Sequence, residues 1–279
     1  GHTAAVTAVD WHPLERDIVL TASRDGSARL WDLNGKKQFD MLVNQKVFQA
    51  KNSKGQRTIV SSICFHPAGR EFALGTSCGS IQIWNVSRVS GRPERAVFGA
   101  HDTPVSCLTY TFDGTKLASR GDDTIKVWNA QRLSRSSTPM VTCTSAPSNN
   151  HEHANCAFGP NAKVLCAGIS RTDDTGREVG AVNFYDVSGS NSVAKPLISL
   201  PVGAGVVTVQ WHPKINQVFV GCSNGETVIY SDSRFSEKGI VKSASKAGRK
   251  TDDLSELLRS RAPQGADAIT GEIYAPLHN

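Results

Sequence analysis

The feature that most constrains this chain is the unit at its start, which runs from Gly1-His2 to Trp31-Asp32. Between those ends lie three short runs: Val6-Thr7-Ala8-Val9-Asp10-Trp11, then Ile18-Val19-Leu20-Thr21-Ala22-Ser23, then a third that closes on Trp31. Alternation at period two suits a strand, because successive side chains point to opposite faces. His12-Pro13 and Arg24-Asp25-Gly26 separate the runs. Pro removes a backbone donor, and Asp-Gly supplies the turn geometry of a tight hairpin. The unit therefore reads as adjacent antiparallel strands.

The unit recurs. First runs end on the aromatics Trp11, Phe65, Phe112, Phe158 and Trp211, each followed by a turn (His-Pro, His-Pro, Asp-Gly, Gly-Pro, His-Pro). Closing aromatics follow at Trp31, Trp84, Trp128, Tyr185 and Tyr230. Helical repeats would need apolar residues three and four apart, whereas Ile81-Gln82-Ile83-Trp84 and Ile125-Lys126-Val127-Trp128 alternate strictly. A Gly-His start and a Trp-Asp end at this separation resemble the WD repeat, each of which forms one radial sheet of a β-propeller. The expected fold class is all-β, with five blades at about 1–46, 47–96, 97–142, 143–200 and 201–232, and a tail over 233–279. Within this frame 131–153 reads as a Ser/Thr-rich loop enclosing an outer strand near 140–142, and 171–180 as an insertion that lengthens a turn.

A chain of 279 residues buries a substantial core as one repeat domain. No stretch approaches the ~18 apolar residues of a membrane span, and no secretory signal is read at its start. Net charge of +6 is mild, and its Lys and Arg are scattered, which does not fit a dedicated nucleic-acid binder. Seven cysteines is an odd number, and most sit inside strand-like runs (Cys64, Cys107, Cys156, Cys166, Cys222). They read as small apolar side chains in a reducing compartment, cytosolic or nuclear.

The residues that carry chemistry read mostly as structure. In WD repeats a His, a Ser or Thr, an Asp and the closing Trp form a buried hydrogen-bonded chain. His2, Thr21, Asp25 and Trp31 occupy those positions in the first unit, and His101, Asp122 and Trp128 give a partial version in the third. The second unit lacks the Gly-His pair and places Cys78 at the Asp position. No nucleophile joins a His and an acid at a cleft, and there is no phosphate loop or nucleophile elbow, so no enzyme is expected. His151-Glu152-His153 with Cys143 and Cys156 matches no zinc spacing, so no metal or other cofactor is expected. Basic residues follow the closing aromatics: Lys36, Lys37, Arg88, Arg92, Arg95, Arg132 and Arg135. These connections share one face of a propeller, which is either a contact surface for acidic protein or RNA or an ordinary solvated rim. The tail pairs basic residues (Lys242, Lys246, Arg249, Lys250) with a short apolar face (Leu254, Leu257, Leu258). It reads as an extended arm with one short helix, ordered by docking.

Three strings carry a closer resemblance: Gly79-Ser80-Ile81-Gln82-Ile83-Trp84, then the run from Leu117 to Trp128, then Trp211-His212-Pro213-Lys214-Ile215-Asn216-Gln217. They resemble the gastrulation-defective family of WD-repeat proteins, with a weaker echo at Glu272-Ile273-Tyr274-Ala275-Pro276. The resemblance implies a nuclear, non-enzymatic scaffold that meets other proteins in a large assembly, foremost an RNA-processing (spliceosomal) ribonucleoprotein. RNA contact through basic loops is part of that expectation; a membrane and a small-molecule substrate are not. The alternative it implies is a substrate receptor of a cullin-type ubiquitin ligase acting on chromatin or DNA damage. The family has seven blades, so five imply a truncated ring. Its glycine pair is a single Gly121 here. The adaptor-binding pattern of Trp-Asp, one residue, then Arg becomes Trp128-Asn129-Ala130-Gln131-Arg132, with the Arg one place late.

Overall fold

In the computed structural model the described residues are 1–231 except 36, 39–40, 89–90, 123, 145–150, 152–153 and 190–191. Lys36 and the tail candidates Lys242, Lys246, Arg249, Lys250, Leu254, Leu257 and Leu258 lie outside them. Each repeat forms an antiparallel meander, here called a blade. Blade 1 is Val6–Trp11, Ile18–Ser23, Ser27–Asp32 and Lys46–Gln49; blade 2 is Val60–Phe65, Glu71–Thr76, Ile81–Asn85 and Arg95–Val97. Blade 3 is Cys107–Tyr110, Lys116–Arg120, Ile125–Asn129 and Val141–Cys143; blade 4 is Cys156–Phe158, Val164–Thr172, Glu178–Asp186 and Pro196–Val202. Blade 5 shows three strands among the described residues: Val206–His212, Gln217–Cys222 and Thr227–Ser231. Outer strand Lys46–Gln49 crosses the boundary expected at 46.

Blades stack face to face, so a central strand is apolar on both sides. Leu20, Ala22, Leu30 and Phe48 of blade 1 pack on Ile63, Phe65, Phe72, Leu74 and Trp84 of blade 2. The other face of blade 2, through Ala73, Ile81 and Ile83, meets Leu108, Tyr110, Leu117 and Trp128 of blade 3. Ala118, Ile125 and Val127 continue onto Leu165 and Tyr185, and Cys166 and Val182 onto Val209, Val218 and Val220. Each large side chain buried this way contributes about 1.5–3 kcal/mol.

Polar latches fix the stacking. His12 Nδ1 accepts from the Glu15 backbone N–H at 2.9 Å, which puts the proton on Nε2. That Nε2–H donates across the seam to the Gly69 carbonyl at 2.9 Å. His66 repeats the device, accepting from Ala68 N–H at 3.1 Å and donating to Gly114 O at 3.1 Å. The two rings sit edge-on to Phe65 and Tyr110, each 5.0 Å away. Hydroxyls of the first strands add a second row: Thr7 donates to Val60 O at 2.7 Å, Ser61 to Val105 O at 2.7 Å and Ser106 to Ala154 O at 3.1 Å.

Two local readings change, and one strand is added. In blade 3 the first strand ends at Tyr110, which is 8 % exposed, while Phe112 is 81 % exposed in the turn. Asp113 makes that turn early, accepting from the Thr111 and Thr115 hydroxyls and the Thr115 N–H. Residues 171–180 lengthen the strands as well as the turn: Arg171 pairs Val179 and Thr172 pairs Glu178, and Asp173 closes the hairpin over 173–177. Ser192–Ala194, from the connection inside blade 4, pairs in parallel with Val141–Cys143 and gives blade 3 a fifth strand. On the outward face of blade 1, Val9 is 58 % and Trp11 56 % exposed. The matching Ile63 and Phe65 of blade 2 are buried under blade 1, whereas no blade covers Val9 and Trp11 among the described residues.

Candidate functional site

The four residues of the first unit do form one chain of hydrogen bonds. Trp31 Nε1 donates to Thr21 Oγ1 at 2.8 Å, and the same oxygen meets His2 Nε2 at 2.7 Å. His2 Nδ1 lies 2.8 Å from Asp25 Oδ2. Asp25 also accepts from the Thr3 and Ser27 N–H groups and the Ser27 hydroxyl. Burial works against its charge, but the Ser27 hydroxyl, the His2 ring and the two N–H groups hold its carboxyl well below the usual range. A group depressed in this way stabilises the fold above its unfolded pKa, and that contribution fades as acid protonates it. Asp25→Ala strands these donors and is expected to cost about 1–3 kcal/mol, measured by urea unfolding at pH 7.

Blade 3 builds the chain differently from the expected His101, Asp122 and Trp128. Trp128 Nε1 donates to Ser119 Oγ at 2.9 Å, and His101 Nε2 meets that oxygen at 2.7 Å. At His101 Nδ1 the partner is Thr124 Oγ1 at 3.1 Å, whereas the Asp122 side chain is exposed. The cause is the single Gly121. From Ser119 to Thr124 the turn is one residue shorter than from Thr21 to Ser27, so its Asp falls out of register. In blade 2 Leu74 stands at the Thr21 position, and the Trp84 indole N–H is buried without a partner. These chains hold the turns to the strands.

Three of the basic candidates, Arg92, Arg95 and Arg135, come together at one place. Loops following the outer strand of blade 1, entering and leaving the outer strand of blade 2, and following Trp128 enclose a groove of about 570 Å³. Lys51, Arg92, Arg95 and Arg135 line it; Glu94 is the acid on its wall and pairs with Arg88 at 3.2 Å. Arg135 lies 5.2 Å from the Phe98 ring centroid, a cation–π contact worth about 0.5–1 kcal/mol. Arg95 is structural, donating to Ala130 O at 2.8 Å and Gln131 O at 3.1 Å and pairing with Glu71. Sequence reasoning missed Lys51 and Phe98, because neither follows a closing aromatic.

The remaining candidates stay apart. Lys37 pairs Leu42 in a small hairpin. Arg132 is exposed on a separate cavity of about 260 Å³ beside Trp128, and its backbone N–H is capped by Asn129 Oδ1 at 3.1 Å. His151, Cys143 and Cys156 do not converge: His151 Nε2 lies 3.0 Å from Glu178 Oε1, and both thiols are buried in strands.

Stacked meanders with these His–Ser/Thr–Trp chains define a WD-repeat β-propeller protein. The WD domain, G-beta repeat model matches residues 1–32, 46–85 and 92–129. Solved propellers agree on the fold. A chain of the Mitotic Checkpoint Complex and the Cps50 (Swd1) β-propeller domain of Myceliophteria thermophila each superpose with a TM-score of 0.63 at 16 % identity, over 83 % of this chain and 65 % and 72 % of theirs. Within the WD-repeat proteins the chain belongs to the gastrulation-defective family. It is 32 % identical to WD repeat-containing protein 70 of Xenopus tropicalis over 92 % of its length, and 31 % identical to the Gastrulation defective protein 1 homolog of Drosophila melanogaster over 90 %. It spans 40 % and 36 % of those relatives' lengths.

Proposed function

We propose that this chain is a non-catalytic interaction scaffold of a large nuclear assembly, foremost an RNA-processing (spliceosomal) ribonucleoprotein. The observation that carries the reading is the basic groove: Lys51, Arg92, Arg95 and Arg135 converge from the loops of three blades on a rigid stack of sheets. Charge complementarity selects an acidic protein segment, with RNA contact through the same loops as the other anionic partner. Among the described residues the histidines and acids of the buried chains are consumed in structure, which supports docking over catalysis. Affinity purification of the tagged chain from nuclear extract tests this. Co-purification of RNA-processing proteins is expected, and a purification yielding only ubiquitin-ligase subunits, or nothing above background, contradicts it.

The cullin-receptor alternative rests on Arg132, which is exposed beside the closing Trp128. The Asn129 carboxamide is committed to capping the turn, and the Arg lies one residue late for the adaptor pattern. Arg132 lies in the turn that follows strand Ile125–Asn129, so the extra residue displaces its side chain from the place the pattern sets. Direct titration with the ligase adaptor is therefore expected to show no sub-micromolar binding. Binding at that strength, abolished by Arg132→Ala, would support the receptor reading instead.

A further inference from the structure

The seam between blades 3 and 4 holds a chemistry that docking does not use. Cys107 opens strand Cys107–Tyr110 and Cys156 opens Cys156–Phe158, the first strands of the two blades. The Cys107 thiol reaches across the seam to the Cys156 carbonyl oxygen at 3.9 Å, so the two cysteines face each other at the starts of neighbouring strands. Cys156 is buried, while Cys107 keeps partial solvent contact.

Arg120 completes the cluster. It is 1 % exposed, with Nη1 donating to Asn155 O at 2.7 Å and Nη2 to Gly168 O at 2.7 Å. No carboxylate pairs with it among the described residues. A guanidinium taken out of water without an anion is costly, and a thiolate formed beside it supplies the missing charge. The hydrogen bond from Cys156 and the Arg120 charge draw the Cys107 thiol down against burial, while that same hydrogen bond and burial push Cys156 up. Of the two sulfurs only Cys107 keeps solvent contact, which suits it to meet an oxidant first and Cys156 to resolve.

We propose that Cys107 and Cys156 are an oxidative modification site, joined across the seam as a disulfide by a peroxide. The Cys107 thiolate attacks one oxygen of hydrogen peroxide; the O–O bond breaks, and hydroxide leaves and takes up a proton. Cys107 is then a sulfenic acid. The Cys156 sulfur attacks the Cys107 sulfur, the S–O bond breaks, and water leaves with the Cys156 proton. Two thiols are oxidised to one disulfide, and one peroxide is reduced to two waters. The product ties the first strands of blades 3 and 4 covalently. Two first strands in contact, with one thiol already lying on the other cysteine's backbone, favour this bond.

The test uses the full chain and its own reference thiol, the exposed Cys78. Hydrogen peroxide is added in steps, free thiols are blocked, and tryptic peptides are mapped without reduction. The expected result is a cross-link between peptides 96–116 and 136–163 at peroxide concentrations no higher than those that oxidise Cys78. Because 136–163 also holds Cys143, the map is repeated in Cys143→Ser, where the cross-link must persist. Labelling with a cyclic 1,3-diketone then assigns the order: Cys156→Ser leaves a labelled sulfenic acid at Cys107, and Cys107→Ser leaves Cys156 unlabelled. Free Cys107 and Cys156 after full oxidation of Cys78, a cross-link lost in Cys143→Ser, or labelling in the reverse order would each overturn the proposal.

Discussion

Moving the protein from pH 7 to pH 5 is expected to cost about 2 kcal/mol of stability through His101 alone. Burial first, and then the Lys126 ammonium, push this histidine from 6.5 down to about 4. Both ring nitrogens are engaged, with Ser119 Oγ and Thr124 Oγ1, and Lys126 Nζ sits close by on the Ala100 carbonyl. Lowering a histidine in the fold means that the unfolded chain binds more protons between pH 6.5 and 4. Stability therefore rises with pH across that window and is lost as pH falls. The full loss at pH 4 is about 3 kcal/mol. Asp10 has the opposite sign: burial raises its carboxyl against the Phe65 and Trp11 N–H groups, so acid relieves it. Urea unfolding of the wild type and His101→Gln at pH 7 and 5 isolates the histidine. The wild type should lose about 2 kcal/mol more than the variant on acidification, and equal losses would remove His101 from the buried chain.

Gly79→Ala is expected to lower stability by more than about 3 kcal/mol, from two causes that add. Its φ of +72° is the left-handed region, which costs an L-residue about 1–2 kcal/mol. A Cβ would also fall on the His101 carbonyl oxygen, where the seam between blades 2 and 3 is tied by His101 N–H donating to Gly79 O at 3.0 Å. The backbone cannot rotate the contact away, so the seam must open. Gly55→Ala separates the two causes. Gly55 has φ +79° with open space around it, so it should lose only the backbone cost. Similar melting temperatures for the two variants would show that the seam tolerates the group.

The strands that carry alternation were legible, because strict period-two patterns and His-Pro or Asp-Gly turns bracket them. The outer strands were less so: the one expected near 140–142 lies at Val141–Cys143, but Arg95–Val97 and Ser192–Ala194, three residues each, are too short for a period to show. The buried chain of blade 1 was readable because the spacing from His2 to Trp31 is intact. In blade 3 one missing turn residue passed the Asp role to Thr124, which a fixed spacing does not detect. Phe112 and Tyr110 lie two apart and would share one face of a strand, so only the Asp113 turn decides between them. Most of the basic groove residues were named, but their meeting depends on loops from three blades. Lys51 sits in a Lys-rich connection that does not single it out, and the half-buried Phe98 gave no local signal.

The claim that the groove docks an acidic partner is tested most directly by charge reversal on its exposed cations. A fluorescein-labelled acidic peptide is titrated by anisotropy into the wild type and into Arg92→Glu/Arg135→Glu. Both side chains are exposed, and the variant should stay folded while losing the Arg135–Phe98 contact, about 0.5–1 kcal/mol. Binding to the wild type should weaken as salt rises from about 0.05 M to 0.15 M, because exposed charges are screened. The variant should bind about tenfold to a hundredfold more weakly, a loss of roughly 1.4–2.8 kcal/mol. Equal affinity for the two proteins, or binding unmoved by salt, would contradict the account.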